Sequence, residues 1–233
     1  MRWLSLSGML FFTVLVCGQT LQLSNTSSDY QEIVGLSTID VQSMAKKNAL
    51  NKVEGSPYLY ESWANESKLF FNGKVYNFTF FNYNMYADRF EAKIAADSVF
   101  VINANNVEKV EINNLHFKRF YDSELRRDSY FEELIDFKGY KLLKKHTVKI
   151  RKGTVNSLTK VKMNPDSLVP EVWFYSFHKA TKNLNKIKLK KKSILSLIDE
   201  RNQNEVSKYV KNNRQSYSNT EDVLKILQFY NTL

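Results

Sequence analysis

The sequence predicts an α+β protein: an antiparallel β-meander that forms a sandwich or a partly closed barrel, followed by a small C-terminal helical segment. Short runs of β-branched and aromatic residues follow one another closely between residues 58 and 177, which is typical of an antiparallel meander. About the last forty residues change to a helical period instead. A composition of 43% hydrophobic and 14% aromatic residues indicates a folded globular chain.

The first eighteen residues have the pattern of a secretory signal peptide. Arg2 supplies the positive start, residues 4–16 the apolar stretch, and Val16-Cys17-Gly18 a peptidase site. The apolar stretch of about 13 residues is shorter than the roughly 20 that a membrane-spanning helix needs. We therefore expect export to the periplasm or the cell surface, with cleavage after Gly18. The remaining chain has no cysteine and a formal charge of +9 rather than +10, because Arg2 is the one charged residue removed.

Residues 19–54 are predicted to be a polar leader that contains one short helix between positions 37 and 53. The apolar positions at helical spacing are Val41, Met44, Ala45 and Leu50. We expect an antiparallel β domain at 55–190 and C-terminal helices at 191–233. Helices of this length are not stable alone, so they must dock on each other or on the sheet.

A tight hairpin is the strongest local prediction. Asn72-Gly73 separates two β-favouring runs by two positions, the spacing of a type I′ turn, in which both central residues adopt positive φ. After the turn, Tyr76, Phe78 and Phe80 fall on one face at a period of two, and we expect these rings to face the core. The apolar phase then moves to Phe81, which predicts a bulge at this point.

Further strands and helices follow from the same patterns. Strands are predicted at 89–94, 98–103, 107–112, 116–121, 130–137, 141–151 and 172–177, and an edge strand at 186–192. A short helix is predicted around 194–198, and a second one carries Val206, Tyr209 and Val210. For the last helix, Ser218 and Glu221 form a capping box, and its apolar face consists of Val223, Ile226, Leu227 and Tyr230.

Basic residues are the main candidates for a surface function. From residue 138 to residue 162 there are nine Lys or Arg and no Asp or Glu, and KIKLKKK follows at 186–192. Such stretches favour contact with an anionic partner, although lysines on an edge strand also prevent pairing with other chains. The candidate anionic-partner surface consists of Lys144, Lys145, Lys190, Lys191 and Lys192.

Motifs for most catalytic classes are missing from the sequence. The five glycines after residue 18 are isolated, so neither a phosphate-binding loop nor a nucleophile elbow is encoded. His116, His146 and His178 lie about thirty residues apart without metal-ligand spacing. We expect no metal and no cofactor. Converged carboxylates leave one enzymatic alternative, a hydrolase of envelope polymers, with the candidate residues Asp88, Glu91, Glu132 and Asp136.

Two segments resemble a widespread family of exported proteins from Gram-negative bacteria. Its front segment has G-x-P-Y-L, NGK-x-Y and YN-x-Y-x-D motifs, and its tail has a Lys-Lys-Ser segment, a basic helix and a final ED-x-x-x-x-x-x-YN-x-L. The matching front residues are Gly55, Pro57, Tyr58, Leu59, Asn72, Gly73, Lys74, Tyr76, Tyr83, Asn84, Tyr86 and Asp88. Ile198 and Asp199 depart from the family's Phe-Pro-Asp stop. The resemblance implies export and strands followed by helices, and it carries over no activity.

These observations predict a non-enzymatic binding or scaffolding module of the cell envelope. The expected partner is an envelope protein or an anionic polymer, with peripheral membrane contact through the basic stretches as a more specific alternative. Because the protein is expected to be exported, we do not expect nucleic acid as its partner. The polymer hydrolase remains the enzymatic alternative.

Overall fold

A computed structural model describes residues 38–40, 53–95 and 98–233 of the 233-residue chain. Within these ranges twelve strands precede three helices, so the predicted α+β order with a C-terminal helical segment is confirmed. The signal peptide at 1–18 lies outside the described residues, and so do Val41, Met44, Ala45 and Leu50 of the predicted leader helix. Residues 38–40 form a strand, so the helix prediction was wrong at its start.

The bounds of the elements are as follows. The strands are β1 (Thr38–Asp40), β2 (Val53–Glu54), β3 (Ala64–Phe71), β4 (Lys74–Asn84), β5 (Arg89–Ala95), β6 (Ser98–Val101), β7 (Val107–Ile112), β8 (Leu115–Asp122), β9 (Arg127–Phe137), β10 (Tyr140–Arg151), β11 (Asp166–His178) and β12 (Leu184–Ile187). The helices are α1 (Lys191–Leu195), α2 (Glu200–Asn212) and α3 (Thr220–Thr232).

Eleven of these strands form one continuous antiparallel order, β1-β6-β5-β4-β3-β7-β8-β9-β10-β11-β12. The short β2 lies off this path and pairs in parallel with β11. The sheet does not close, because β1 and β12 are its two ends. It curves nevertheless, since Val148 of β10 and Leu168 of β11 share one apolar cluster with Phe81 of β4 and Phe90 of β5. Both β1 and β2 come from the segment predicted as leader.

The hairpin between β3 and β4 has the predicted turn. Asn72 and Gly73 have φ of 50° and 72°, and Phe71 pairs with Lys74 across the turn. Asn72 tolerates this left-handed backbone better than most residues, and Gly73 adopts it without steric conflict.

The prediction that three rings of β4 face the core was only partly correct. Tyr76 is buried and Phe78 is half-buried, but Phe80 is 48% exposed. β4 pairs with β3 as far as Phe80 and with β5 from Phe81 onward. Phe81 points into the core, and its neighbour Phe80 therefore points out. The bulge was also misplaced, because the register shift lies in β3, between Ala64 and Ser67.

An aromatic cluster forms the core of the first half of the sheet. The Tyr83 ring lies 4.9 Å from Phe90 and 5.4 Å from Phe117, and Phe90 meets Tyr130 edge to face at 4.9 Å. All four rings are buried. Each such ring pair contributes about 1 kcal/mol beyond the burial of its area.

The C-terminal helices cover one face of the second half of the sheet. Leu142 and Leu143 are adjacent in β10 and both fully buried, but they face opposite sides of the sheet. Leu142 packs in the cluster that contains Val206 and Ile226 of the helices. Leu143 packs with a separate aromatic cluster around Phe131 on the other face.

Helix α3 begins one residue later than predicted. Its N-cap is Asn219, whose side chain accepts a hydrogen bond from the N–H of Asp222 at 3.0 Å. The predicted capping box of Ser218 and Glu221 was therefore wrong by one position. Among the described residues, no helix is both long and apolar enough to cross a bilayer.

Strand β11 begins six residues before the predicted start at residue 172 and includes Pro170, a residue that sheets tolerate only at open edges. Pro170 pairs with Val148 of β10. On its other side, β11 pairs with β2 only at 166–167 and with β12 only at 174–177. The proline therefore occupies an open stretch of strand edge, where a missing N–H removes no ladder hydrogen bond.

Candidate anionic-surface site

The five predicted lysines do not form one surface. Lys144 and Lys145 are adjacent in β10 and face opposite sides of the sheet. Lys144 Nζ lies 3.1 Å from Glu132 Oε2, and Lys145 Nζ lies 3.1 Å from Asp122 Oδ2. Lys145 is buried and passes over the Phe131 ring at 4.8 Å. Carboxylates of the fold therefore hold both lysines, with Lys145 buried and Lys144 half-buried.

The other three lysines are exposed where β12 gives way to the first helix. Lys190 is the N-cap of α1, and Lys191 and Lys192 are its first two residues. The edge strand predicted at 186–192 is correct only at its start, because β12 ends at Ile187 and Lys191 and Lys192 lie in α1. Only this part of the predicted surface is accessible to a macromolecular partner.

A second basic site lies in the connection between β10 and β11, which we call the β10–β11 loop (residues 152–165). The loop forms a small ordered hairpin. Val155 bridges to Lys162, and the N–H of Asn156 donates to the Val161 carbonyl at 2.9 Å. At the tip, Asn156 Oδ1 accepts hydrogen bonds from the N–H groups of Leu158 and Thr159 at 2.9 and 3.0 Å. This Asx-type turn fixes the position of Leu158.

The loop exposes apolar side chains at its tip. Leu158 is 90% exposed, more than any other large apolar residue that the structure describes. Three neighbours in the loop, Val155, Val161 and Met163, are each more than half exposed. Because backbone hydrogen bonds fix the conformation of the loop, the exposure of these side chains is part of its folded structure.

Cations surround this apolar tip. Residues 149–165 carry five basic residues and no acidic one. Lys149 pairs with Glu171, and Lys162 pairs with Asp166 at 2.7 Å. The other three cations are exposed and form no ion pair with any carboxylate that the structure describes: Arg151, Lys152 and Lys160.

The base of the loop requires a glycine. A Cβ on Gly153 would lie 1.8 Å from the carbonyl oxygen of Asn164, which is far inside van der Waals contact. The Gly153 N–H donates to Asp166 Oδ1 at 2.7 Å. This bond and the Lys162 ammonium lower the pKa of Asp166, with the Lys162 contribution the larger. Asp166 therefore anchors both ends of the loop as a carboxylate.

The four carboxylates of the hydrolase alternative each have their own partners. Asp88 accepts from the Tyr83 hydroxyl at 2.6 Å, and Glu91 accepts from the Tyr58 hydroxyl at 2.8 Å. Burial raises the pKa of Tyr58 further than the neighbouring Glu91 charge does. Glu132 is held by Lys144 and His146, and Asp136 by Lys141 and Lys179. In the described part of the chain these four act as acceptors within the fold.

The three histidines also lie in different surroundings. His146 is buried against Glu132, with Nε2 2.5 Å from Oε2. His116 is exposed beside Glu111 at 3.4 Å, and His178 Nδ1 lies 3.0 Å from the Thr181 hydroxyl. The structure does not bring the three together.

Sequence reasoning identified the charge of this region and missed its apolar tip. Val161 and Met163 alternate with Lys160 and Lys162 between two long strands, a pattern that ordinarily indicates one buried face. Comparison of the chain with models of known families, with curated proteins and with solved structures finds no match.

Proposed function

We propose that this protein is an exported, non-enzymatic module of the cell envelope that binds an anionic bilayer surface through the β10–β11 loop. The observation that carries the proposal is the ordered loop tip, which presents Leu158 almost fully to solvent beside three cations without ion-pair partners among the described residues. Export is supported by the signal-peptide pattern at 1–18 and by the resemblance to exported proteins.

The combination of groups favours a bilayer over an anionic polymer. A polysaccharide or polyphosphate interacts with cations but gains nothing from an apolar tip. At a membrane, apolar side chains enter the boundary of the acyl chains while Lys and Arg remain among the phosphate groups. Leu158 and Met163 supply the first contact, and Arg151, Lys152 and Lys160 supply the second.

The magnitudes predict reversible binding. Each Lys or Arg near an anionic leaflet contributes about 1 kcal/mol, so the three cations contribute about 3 kcal/mol. Burial of Leu158 and Met163 adds about 2 kcal/mol each. A total of about 7 kcal/mol corresponds to a dissociation constant on the order of 10 μM. Such a protein associates with membranes peripherally and dissociates at high salt.

Vesicle binding tests this proposal. Purified protein is sedimented with vesicles of phosphatidylglycerol and phosphatidylcholine, and with vesicles of phosphatidylcholine alone, at low and high salt. We expect binding to the anionic vesicles that weakens with salt. Leu158→Ser should reduce it about tenfold, and the triple variant R151Q/K152Q/K160Q should remove the preference for anionic lipid. The matched controls are Leu125→Ser, at a 51% exposed leucine in the β8–β9 turn, and Lys188→Gln.

Insertion of the tip can be measured directly. The sequence has one cysteine, Cys17, in the predicted signal peptide, so Leu158→Cys offers a single position for an environment-sensitive dye. Its emission should shift to the blue on anionic vesicles, and a dye at Leu125→Cys should not respond. Membrane insertion would be contradicted if wild type and Leu158→Ser bind the vesicles equally. It would also be contradicted if only R151Q/K152Q/K160Q lowers vesicle binding. Absence of wild-type binding to anionic vesicles would contradict the whole proposal.

A further inference from the structure

Another cationic site lies on the helices, in a cleft of 530 Å³ beside the C-terminal end of α2. We call it the α2 cleft. Four of its lining residues are cations, and none is acidic. The cations are Lys191 of α1, Lys208 and Lys211 of α2, and Arg214 directly after α2. Lys208 and Lys211 are three residues apart and therefore lie on one side of the helix.

These cations differ from the lysines of the sheet. None of the four forms an ion pair with a carboxylate in the part of the chain that the structure describes. Four like charges around one cleft repel one another, and nothing in the lining offsets this repulsion. An anionic ligand would offset it.

Two residues of the cleft lining, Gln215 and Tyr217, each carry a buried polar atom that lacks a partner. The Oε1 atom of Gln215 and the hydroxyl of Tyr217 are inaccessible to solvent and form no hydrogen bond. Most buried polar groups in folded proteins are hydrogen-bonded, so two neighbouring residues of one cleft with unbonded polar atoms need an explanation. A tyrosine hydroxyl donates to an anionic oxygen, and a glutamine carbonyl accepts from a ligand hydroxyl.

Arg214 adopts a backbone conformation that favours glycine. Its φ is 51°, and it follows the C-cap of α2, Asn213. The N–H of Gln215 donates to the Val210 carbonyl at 3.0 Å, and the N–H of Arg214 donates to the Lys211 carbonyl at 3.3 Å. This is a Schellman ending, in which glycine is the preferred residue after the cap.

The negative end of the α2 dipole also lies here and weakens anion binding. The last carbonyl groups are however occupied by hydrogen bonds within the chain. The Tyr209 carbonyl accepts from the N–H and the side chain of Asn213 at 3.0 and 2.9 Å, and those of Val210 and Lys211 complete the Schellman ending. Four full positive charges exceed the half charge of a helix end.

We infer that the α2 cleft binds a phosphate monoester that carries hydroxyl groups, such as a sugar phosphate or a phosphorylated headgroup. Lys191, Lys208, Lys211 and Arg214 provide the charge for the phosphate, with Arg214 able to contact two oxygens at once. The Tyr217 hydroxyl and the Gln215 carbonyl oxygen are covered in the free protein, so in this inference their side chains turn towards the ligand, where Tyr217 donates to a phosphate oxygen and Gln215 accepts from a hydroxyl. The volume fits a small ligand of this kind. This inference does not depend on the membrane contact of the β10–β11 loop.

Calorimetry and thermal unfolding of the purified protein test the inference. The soluble probes are inorganic phosphate, glycerol 3-phosphate and glucose 6-phosphate, with chloride at equal ionic strength as the control. We expect the phosphorylated sugar and glycerol to bind more tightly than inorganic phosphate, and all three to raise Tm. Vesicles with phosphatidic acid, tested in the Leu158→Ser background, distinguish a lipid headgroup from a free ligand.

Three variants separate binding from folding. K211Q/R214Q should weaken the sugar phosphate about tenfold or more. Tyr217→Phe should weaken it about fivefold without lowering Tm, because the lost hydroxyl has no partner in the free protein. Arg214→Gly should raise Tm and still reduce affinity, since glycine relieves the backbone strain and removes the cation. The matched control K188Q/K225Q removes two exposed lysines that do not line the cleft.

The outcomes are distinct. Loss of affinity in Tyr217→Phe and Arg214→Gly at unchanged or higher Tm supports the site. Equal loss in K188Q/K225Q would show a general charge effect and overturn it. The absence of any chloride-corrected binding by the wild type would overturn it as well.

Discussion

Glu132 on β9 is the carboxylate that holds the side chain of Lys144. It is 5% exposed on β9 and pairs with Lys144 directly across the strand. Burial alone would raise its pKa, but the hydrogen bond from His146 and the charge of Lys144 together hold the pKa below its ordinary value. Because an ionised carboxylate only accepts, the Nε2 atom of His146 carries the proton in their 2.5 Å contact.

The pH dependence of stability follows from this lowered pKa. The unfolded Glu132 binds a proton more readily than the folded one. Its contribution to stability is therefore complete above the ordinary pKa of about 4.3 and is lost as pH falls through the lower folded pKa. At pH 7, Glu132→Gln should lower the free energy of unfolding by about 2 kcal/mol, because it leaves the half-buried ammonium of Lys144 without its carboxylate. The difference should shrink towards pH 3.

Urea unfolding of both proteins at pH 7, 5 and 3 measures this difference. Glu124→Gln, at an exposed carboxylate of the β8–β9 turn, is the matched control and should change little at any pH. A Glu132→Gln defect that stays the same from pH 7 to pH 3 would refute the linkage to this carboxylate.

Single residues show where the sequence was sufficient and where it was not. The sequence predicts Lys144 and Lys145 at the surface because a local pattern carries no information about carboxylates on other strands. For Lys145 that carboxylate is Asp122, two strands away. Lys145 reaches Asp122 on β8 by crossing Phe131 on β9, and this contact depends on the register of three strands. The register shift in the β9–β10 pairing, between Leu142 and Leu143, has no local pattern that predicts it.

At the scale of elements, local chemistry was the reliable guide. Asn72-Gly73 determines its own turn, so the hairpin was predicted correctly. The start of β11 depends on other strands, because its Pro170 lies where neither β2 nor β12 pairs with it. The β10–β11 loop was likewise hidden, since nothing in an alternating Val-Lys-Met run tells whether its apolar side finds a partner. The charge of the candidate site was predictable, and its accessible geometry was not.

The N-cap of α3 can be tested by substitution, because the sequence predicts Ser218 as the cap and the structure has Asn219. Asn219 accepts from the Asp222 N–H, whereas Ser218 contacts the hydroxyl of Ser216 at 2.9 Å. Asn219→Ala should therefore lower the free energy of unfolding by about 1 kcal/mol. Ser218→Ala should lower it by about half of that or less, since an exposed hydroxyl pair contributes little. Denaturant unfolding measures both, and the reverse order would restore the capping box that the sequence predicted.

At the scale of the molecule, the two cationic sites belong to opposite ends of β10. The strand enters the β10–β11 loop after Arg151, while Tyr140 at its other end packs with the helices. Twelve residues of extended strand span about 40 Å. We therefore expect the effects of substitutions in the loop and in the α2 cleft to add. If the loop rests on a bilayer as proposed, the cleft lies towards the other end of the strand, where the proposed phosphate ester can enter from solution.

The helices and the sheet should unfold as one cooperative unit. Their shared cluster joins Phe137 and Leu142 of the sheet to Ile226 and Tyr230 of α3, and the Tyr230 hydroxyl accepts from the N–H of Asp199 at 3.2 Å. Ile226 is fully buried, so Ile226→Ala should lower the free energy of unfolding by about 3 kcal/mol through lost burial and a cavity.

The described tryptophans, Trp63 and Trp173, lie before and within the sheet, and α1–α3 contain none. Tryptophan fluorescence therefore reports on the sheet, while far-UV ellipticity at 222 nm is dominated by the helices. In Ile226→Ala both signals should move to the same lower urea midpoint, because a single transition couples them. Leu195→Ala, at a half-buried position of α1, serves as the milder control. If ellipticity is lost at lower urea while the fluorescence midpoint stays at its wild-type value, the helices are a separate unit and the shared cluster does not couple them to the sheet.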